Sequence, residues 1–309
     1  MFTNLKNKFR LYIKTFFDEF EERMLFYIRS ESLLKSALFS NNSGISKNLY
    51  IQEKRIIISL TTYDKRIHDV YLTIESLMQQ TIMPNKIVLW LANEMKNSYI
   101  PKTLQNQLSR GLEIRYCKDL RSYKKLIPAL KTFPEDIIIT VDDDILYNHD
   151  FVENLITEYT KEPHCIHCGW AKHLSVGEDG KLMPWKKCPK RPEEEIKKSF
   201  LNLPIGCAGV LYPPHSLDME VFNENVFMNI CKYADDIWFK AMTLKAGYPC
   251  KAIRKDIHNF MYIDNPICRH QGLTLVNISK DMNNIQIQAV FDKYNLHNLL
   301  IDKNQENED

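Results

Sequence analysis

The sequence predicts an α/β fold in which a mostly parallel, Rossmann-like sheet is flanked by helices. Short runs rich in Val and Ile alternate with segments whose apolar residues recur every three or four positions, a pattern typical of parallel strands joined by helices. A second observation is that one β-branched run ends in consecutive aspartates. The strands are predicted at 55–60, 86–91, 112–116 and 137–141, and the intervening helices at 70–80, 101–108 and 122–132.

The run 137–141 consists of β-branched residues, which indicates a strand buried on both faces. Asp142, Asp143 and Asp144 follow it directly. Neighbouring carboxylates repel one another and burial disfavours their charged form, so a cation or hydrogen-bond donors must compensate them. Oxygen ligands of this kind suit Mg²⁺ or Mn²⁺. Because ligands of open α/β sheets bind beyond the carboxyl ends of strands, we expect a metal ion and a phosphate-bearing ligand here.

The second half of the chain is less regular. A helix is predicted at 151–160, a hairpin turn at 177–180 and a strand with two glycines at 204–212. A further helix begins at Asp235 and ends before Gly247, which is a typical C-terminal stop.

Residues 1–44 are predicted to form an amphipathic helix followed by a short linker. Basic residues occupy the first half of the helix and acidic residues its middle. Three interpretations stay open: the helix packs on the main domain, pairs with a second copy as a homodimer, or lies on an anionic membrane surface. The apolar stripe consists of Phe2, Leu5, Phe9, Tyr12, Ile13, Phe16, Phe20, Met24, Tyr27 and Ile28.

Composition limits the classes of function. The net charge of +2 is nearly balanced, which argues against nucleic acid as a partner. No run of about 18 apolar residues predicts a transmembrane helix, and the first 40 residues lack the features of a signal peptide. We therefore expect a cytoplasmic protein, with peripheral contact at the inner face of the cell membrane as an option, whose eight cysteines are reduced.

Five segments occur in a distinctive order: "SLTTYDKRI", "DLRSYKKLIPAL", "IIITVDDDILY", "GVLYPP" and "ADDIWF". Together they resemble the GT-A glycosyltransferases with a DxD motif, of the bacterial group that builds surface polysaccharides such as capsule or lipopolysaccharide. The resemblance extends over about residues 55–295. It implies a GT-A fold, a hexosyltransferase-like activity, a nucleotide-diphosphate sugar as donor, Mn²⁺ or Mg²⁺ as cofactor, and a glycan or lipid-linked glycan as acceptor.

The resemblance also assigns roles to the carboxylates. Asp144 would bind the metal directly, Asp142 would contact the ribose or the metal, and Asp143 is a further candidate for donor binding. Asp236 would be the base that deprotonates the acceptor hydroxyl and Asp235 would orient the acceptor, provided that the reaction inverts configuration. The alternative for this second pair is capping of the helix that it begins.

Polar and basic residues of two loops are predicted to complete the donor site. By the resemblance, the candidates for contact with the nucleotide base are Thr62, Tyr63 and Arg66. The candidates for contact with the diphosphate are Arg121, Lys124 and Lys125. For the basic residues the alternative is a solvated surface.

Histidine and cysteine suggest two further metal assignments. Many GT-A enzymes use a late histidine as an additional metal ligand, and His270 is the candidate, with His258 as its alternative. Separately, Cys165 and Cys168 have the spacing of a zinc site that Cys188 could complete, although no second pair has the usual spacing. Free thiols are the alternative.

The residue patterns and the resemblance together divide the chain into three parts. Residues 1–44 are the helix and linker, for docking, oligomerisation or membrane contact. Residues 45–300 are a single GT-A-like catalytic domain, with a nucleotide-sugar half at about 55–160 and an acceptor half at 161–300. Residues 301–309 are a frayed tail.

Two other functions stay open. A nucleotidyltransferase has a similar sheet and metal chemistry, but it normally has a glycine-rich loop after the first strand, and the loop 61–66 contains no glycine. A non-catalytic carbohydrate- or partner-binding module would not need the acidic residues, so the intact Asp142, Asp144 and Asp236 argue against it. The favoured interpretation is a metal-dependent glycosyltransferase.

Overall fold

The structure, a computed structural model, describes residues 2–51, 53–253, 261–263, 277 and 281–305. It contains a seven-stranded mixed sheet flanked by helices and preceded by a long N-terminal helix, so the predicted α/β fold class is confirmed. Four further strands form two small sheets, in which β5 pairs with β11 and β7 pairs with β8. In chain order the described strands are β1 (Ile56–Thr61), β2 (Lys86–Ala92), β3 (Leu112–Cys117), β4 (Ile137–Thr140), β5 (Ile145–Leu146), β6 (Ile166–Cys168), β7 (Ala171–His173), β8 (Asn202–Pro204), β9 (Val210–Tyr212), β10 (Cys250–Ala252) and β11 (Met261–Tyr262).

Helices cover both faces of this sheet. In chain order the α-helices are α1 (Phe2–Phe39), α2 (Val70–Met78), α3 (Lys102–Ser109), α4 (Ile127–Thr132), α5 (Phe151–Lys161), α6 (Pro192–Glu195), α7 (Glu224–Ile230), α8 (Asp235–Lys245), α9 (Met282–Lys293) and α10 (Leu296–Gln305).

The strand order is β10-β6-β9-β4-β1-β2-β3. Strand β1 pairs in parallel with β2 and β4, whereas β9 runs antiparallel between β4 and β6. Side chains alternate along β1, so that Ile57 packs in one hydrophobic core with Trp238 of α8, while Ile56 and Ile58 pack in a second core with Leu155 of α5. Two such cores on opposite faces explain why these strands are apolar throughout.

The predicted strand 204–212 is wrong in its middle. Strand β8 ends at Pro204, a 3₁₀ turn covers Gly206–Ala208, and β9 begins only at Val210. The physical reason is Gly209, whose φ of +80° lies in a region that L-residues rarely adopt and that interrupts a strand.

The predicted helix 122–132 is also divided. A 3₁₀ turn covers Arg121–Lys125, and α4 begins afresh at Ile127. Pro128 explains the break, because proline lacks an amide donor and restricts the preceding residue, and it is tolerated only in the first turn of a helix.

Among the described side chains of the 38-residue helix α1, those that the domain buries lie near its C-terminal end. Leu33 is buried against Leu72 of α2. Arg110 pairs with the buried Glu75 at 2.8 Å and donates from Nε to the carbonyl of Asn42 at 2.7 Å, so it ties the linker to the domain. None of the helices in the part of the chain that the structure describes has both the length and the apolar character needed to cross a membrane.

Candidate active site

The three aspartates lie at the carboxyl end of β4, beside the loop that follows β1. The side chains of β4 are fully buried. Because β1 and β4 are parallel, with Ser59 opposite Thr140, their carboxyl ends lie side by side. The chain after β1 forms a 3₁₀ turn over Asp64–His68. This turn brings polar side chains to the loop of residues 142–144, which we call the acidic loop.

Arg66 and Thr62 bind the acidic loop. Arg66 Nη1 lies 2.6 Å from Asp143 Oδ1 and 2.9 Å from Asp144 Oδ2. Thr62 Oγ1 donates to Asp143 Oδ2 at 2.5 Å. Asp143 is thus buried with both oxygens bonded, whereas the side chains of Asp142 and Asp144 remain 32% and 34% exposed. Asp143 therefore fixes the loop, and the other two carboxylates are the ones accessible to a ligand.

Negative charge is in excess at this loop. Burial and the charges of Asp142 and Asp143 raise the pKa of Asp144 to about 6, although Arg66 lowers it. Burial also raises the pKa of Asp143, against the effects of Arg66 and Thr62. Added positive charge would relieve this repulsion, so the acidic loop favours the binding of a cation.

Lys125 connects the acidic loop to the second pair of carboxylates. Its Nζ lies 2.8 Å from Asp142 Oδ1 and 3.2 Å from Asp235 Oδ2, and only 5% of its side chain is exposed. Burial alone would lower its pKa, but the charges of Asp142, Asp235 and Asp236 raise the pKa well above its ordinary value. Lys125 therefore stays charged and links the acidic loop to the start of α8. Ser59 Oγ positions it by donating to its carbonyl at 2.5 Å.

Asp236, in the first turn of α8, is held by the turn that interrupts 204–212. The amide of Gly206 donates to Asp236 Oδ2 at 2.9 Å. Burial and the charge of Asp235 raise the pKa of Asp236 to about 7, against the effects of Lys125 and the Gly206 amide. A carboxylate with a pKa near 7 is suited to accept a proton at neutral pH, as a general base must.

Asp235 and Asp236 do not act as the N-cap of α8. The N-cap of α8 is Ala234, whose side chain makes no capping hydrogen bond. Asp235 is instead buried beside Lys125. The carboxylates of α8 are thus directed into the cluster around Lys125.

The other basic candidates do not reach the acidic loop. Lys124 is buried but pairs with Asp119, and Arg121 is exposed with its guanidinium 5.2 Å from the ring of Tyr233. Tyr63 is 43% exposed, with the guanidinium of Arg66 5.4 Å from its ring. Contact of these side chains with a nucleotide stays a prediction.

The cysteines considered for zinc do not share a site. Cys168 Sγ lies 3.6 Å from Cys250 Sγ, whereas Cys165 and Cys188 each bond to a main-chain carbonyl. Within the described ranges, no three His, Cys, Asp and Glu side chains form a group that could hold a metal ion. Cys165, Cys168 and Cys188 are therefore free thiols, as the alternative interpretation stated.

Asp142 and Asp144 fit a hard divalent ion as a pair of ligands. Protein sites for Mg²⁺ at phosphates use one or two carboxylates and leave the remaining positions to phosphate and water oxygens. Two partly exposed carboxylates in a loop of excess negative charge match this donor set, and Mn²⁺ accepts the same oxygens. His270, the predicted further ligand, and its alternative His258 lie outside the described residues.

Tyr147 is a site residue that sequence reasoning missed. Its hydroxyl accepts from the amide of Asp142 at 3.1 Å and donates to the carbonyl of Cys207 at 2.9 Å. It therefore holds the acidic loop against the turn beside Asp236. Arg29 of α1 in turn donates to the Tyr147 carbonyl. A tyrosine that ends the apolar stretch after the aspartates cannot be distinguished from an ordinary core aromatic by sequence alone.

Comparisons with known proteins give a limited result. No family model and no curated protein matches the chain. One similar solved structure is a mannosyltransferase from Pyrobaculum calidifontis in complex with GDP-Man and Mn²⁺, with 13% identity and a TM-score of 0.42 over 76% of this chain and 63% of that one. Another is a CMP:2-keto-3-deoxy-manno-octonic acid synthetase complexed with CTP, with 12% identity and a TM-score of 0.40 over 73% of this chain and 100% of that one.

This chain therefore matches less than two thirds of the length of the mannosyltransferase. At these TM-scores the likeness carries no argument about function, so a functional conclusion must rest on the geometry of the site.

Proposed function

We propose that the protein is a metal-dependent glycosyltransferase that moves a sugar from a nucleotide-diphosphate sugar to a hydroxyl of a growing bacterial surface glycan, with inversion of configuration. The observation that supports this most is that Lys125 joins two sets of carboxylates, the acidic loop and Asp235-Asp236. An inverting transfer needs charge stabilisation at the leaving group and a base at the acceptor. The two sets match these two requirements.

On the donor side, Asp142 and Asp144 would hold Mn²⁺ or Mg²⁺. When bound, the ion acts as a Lewis acid that stabilises the leaving nucleoside diphosphate. Arg66 supports a donor site beside it, because its buried Nε has no acceptor among the residues that the structure describes and a phosphate or ribose oxygen would satisfy it. Thr62 and Tyr63 adjoin Arg66 in the loop proposed to contact the nucleotide.

On the acceptor side, Asp236 would take the proton of the attacking hydroxyl. Its Oδ2 accepts from the Gly206 amide, so Oδ1 is the oxygen proposed to accept the proton. Lys125 lowers the pKa of Asp236 and so favours the ionised form that a base requires. Asp235, held by Lys125, would orient the acceptor.

Replacing Gly206 by Ala is expected to impair activity far more than stability. A Cβ at this position would lie 2.5 Å from Asp236 Oδ1 and 2.6 Å from Lys125 Nζ, so both side chains must move. Because misplacement by about 1 Å can cost 10²-fold in rate, we expect kcat/KM for sugar transfer to fall by roughly 10- to 100-fold.

The control for this variant is Gly247→Ala. Gly247 has a φ of +80° but no atom within 4 Å of an added Cβ. The substitution introduces about 1–3 kcal/mol of backbone strain and should leave kcat/KM unchanged. Equal losses of activity in the two variants would show that Gly206 affects only folding.

Donor binding is expected to depend on the metal and on Asp144. We would measure thermal unfolding with UDP-, GDP-, CMP- and dTDP-sugars, with and without Mn²⁺. One class of nucleotide, at 100 times its Kd, should stabilise the protein by about 2.7 kcal/mol only when Mn²⁺ is present. Asp144→Ala should abolish this stabilisation.

The matched control is Glu135→Ala, which removes the same charge from an exposed position outside the acidic loop. It should respond to the donor as the wild type does. If no nucleotide-sugar stabilises the wild-type protein, the site is not a donor site and the binding-module alternative gains support.

A further inference from the structure

We propose that α1 binds the surface of an anionic membrane through an exposed aromatic face. This inference rests on the helix and not on the proposed chemistry. All members of the face are at least 39% exposed. The aromatic face consists of Phe9, Tyr12, Ile13, Phe16, Phe17, Phe20, Met24 and Tyr27.

The domain does not cover the aromatic face. Every described side chain of residues 9–25 is exposed. At about 100° per residue, the face spans an arc of roughly 140°, and the buried Leu33 and Ala37 lie roughly 90–140° from its centre. The helix is thus held on the domain by one side and presents a second, apolar side to its surroundings. Soluble monomers rarely leave so large a contiguous apolar surface uncovered.

Charge along the helix favours a negatively charged partner. No acidic residue occurs before Asp18, whereas the same stretch contains four basic residues. Arg10 and Arg23 lie near the two edges of the aromatic face, roughly 55–85° from its centre. Cations beside an apolar face are the pattern of helices that lie in the interface of anionic bilayers, where aromatic side chains are also favoured.

The acidic residues in the middle of the helix all lie outside the aromatic face. Asp18 and Glu22 lie roughly 160° from its centre, on the opposite side of the helix, whereas Glu19 and Glu21 lie roughly 95–105° from the centre, just beyond its two edges. A membrane below the face would therefore leave Asp18 and Glu22 in water and place Glu19 and Glu21 at the border of the contact.

A bilayer fits the face better than a second copy of the chain does. A coiled-coil seam is a narrow stripe of mainly Leu, Ile and Val, whereas this face is wide and mostly aromatic.

Membrane contact through α1 would also orient the candidate site. Arg29 donates to the Tyr147 carbonyl and lies 3.4 Å from Asn148 Oδ1, just after the acidic loop. The helix that binds the bilayer is therefore fixed to the segment that carries the aspartates. If the proposed function holds, this arrangement keeps the site close to acceptors attached to lipid.

The test is sedimentation of the full-length protein with vesicles of phosphatidylcholine alone or mixed with phosphatidylglycerol. We expect at least ~10-fold stronger binding to the mixed vesicles. The double variant Phe16→Gln/Phe20→Gln should weaken that binding at least ~10-fold, because it removes two aromatic anchors while keeping residues that favour a helix.

The matched control is Leu11→Gln, since Leu11 is 65% exposed but lies on the opposite side of the helix. It should bind vesicles as the wild type does. The proposal is overturned if wild-type protein binds neither kind of vesicle, if the double variant binds unchanged, or if sedimentation velocity shows that the face instead joins two copies. Donor-induced stabilisation of the double variant should equal that of the wild type, so the two proposals can fail separately.

Discussion

Asp236→Asn is expected to lower kcat for sugar transfer by roughly 10²–10⁴-fold and to leave donor affinity within about threefold of the wild type. Asparagine has the same shape and can still accept from the Gly206 amide, but it cannot take a proton from the acceptor. The measurement is steady-state kinetics combined with the donor Kd from calorimetry. Activity within a few-fold of the wild type would show that Asp236 is not the base.

The raised pKa of Asp236 gives the same substitution a pH signature. The base must be ionised, so kcat/KM of the wild type should fall about tenfold per unit as the pH falls below about 7, and this limb should disappear in Asp236→Asn.

The free energy of unfolding of the wild type should fall as the pH rises, whereas kcat/KM should rise. Between the ordinary pKa of 3.8 and about 7, the folded protein binds a proton that the unfolded chain does not, so stability falls as pH rises through this window. Asp236→Asn should therefore be more stable than the wild type at pH 8, by ~1–3 kcal/mol, and equal to it below about pH 4.

Asp218→Asn is the control for the direction of this stability change, because the pKa of Asp218 is shifted the other way. Burial would raise the pKa of Asp218, but the Glu220 amide and the Lys245 ammonium lower it below its ordinary value. A carboxylate of this kind contributes stability at neutral pH that is lost on acidification, so Asp218→Asn should be less stable than the wild type at pH 8.

Lys125→Met is expected to lower the free energy of unfolding by ~3–5 kcal/mol at pH 8. Methionine fills a similar volume but leaves Asp142, Asp235 and Asp236 without their shared cation. Lys125 lowers the pKa of Asp236, so this pKa should rise in the variant, and the folded variant should bind an extra proton as the pH falls. The loss of stability should consequently shrink towards pH 5, and denaturant unfolding at both pH values measures it.

Lys124→Met is a closely matched control for that result. Lys124 is equally buried, but its carboxylate partner Asp119 is 53% exposed and can be solvated by water. We expect the free energy of unfolding to fall by at most ~1 kcal/mol, with little dependence on pH. Equal losses at the two positions, or a loss at Lys125 that does not depend on pH, would contradict the role given to Lys125.

The central strand and its aspartates could be predicted because their signal is local. A continuous β-branched run indicates a buried strand, and the parallel topology places whatever follows it at the binding edge of the sheet. Thr62 and Arg66 were predicted, by resemblance, to contact the nucleotide base, and the structure places both against the acidic loop. Their partner is mainly Asp143, the aspartate with the least definite predicted role.

The role of Lys125 could not be predicted because it depends on three distant segments. Its neighbours come from the acidic loop, from α8 and from the turn at Gly206, and no spacing in the sequence relates them. The same holds for α1: periodicity predicted an amphipathic helix, but the side that meets the domain is not the most apolar one. Burial of Leu33 and Ala37, rather than of the aromatic face, became clear only from the packing.

The most direct test of the proposed function is a proton NMR time course of the stabilising nucleotide-sugar with protein and diamagnetic Mg²⁺, in which water serves as the acceptor. A glycosyltransferase of the proposed kind should release nucleoside diphosphate and free sugar, with the first-formed anomer inverted, and Asp144→Ala should release neither. Formation of nucleoside monophosphate and sugar phosphate, or no cleavage by a wild-type protein that binds the donor, would contradict the account.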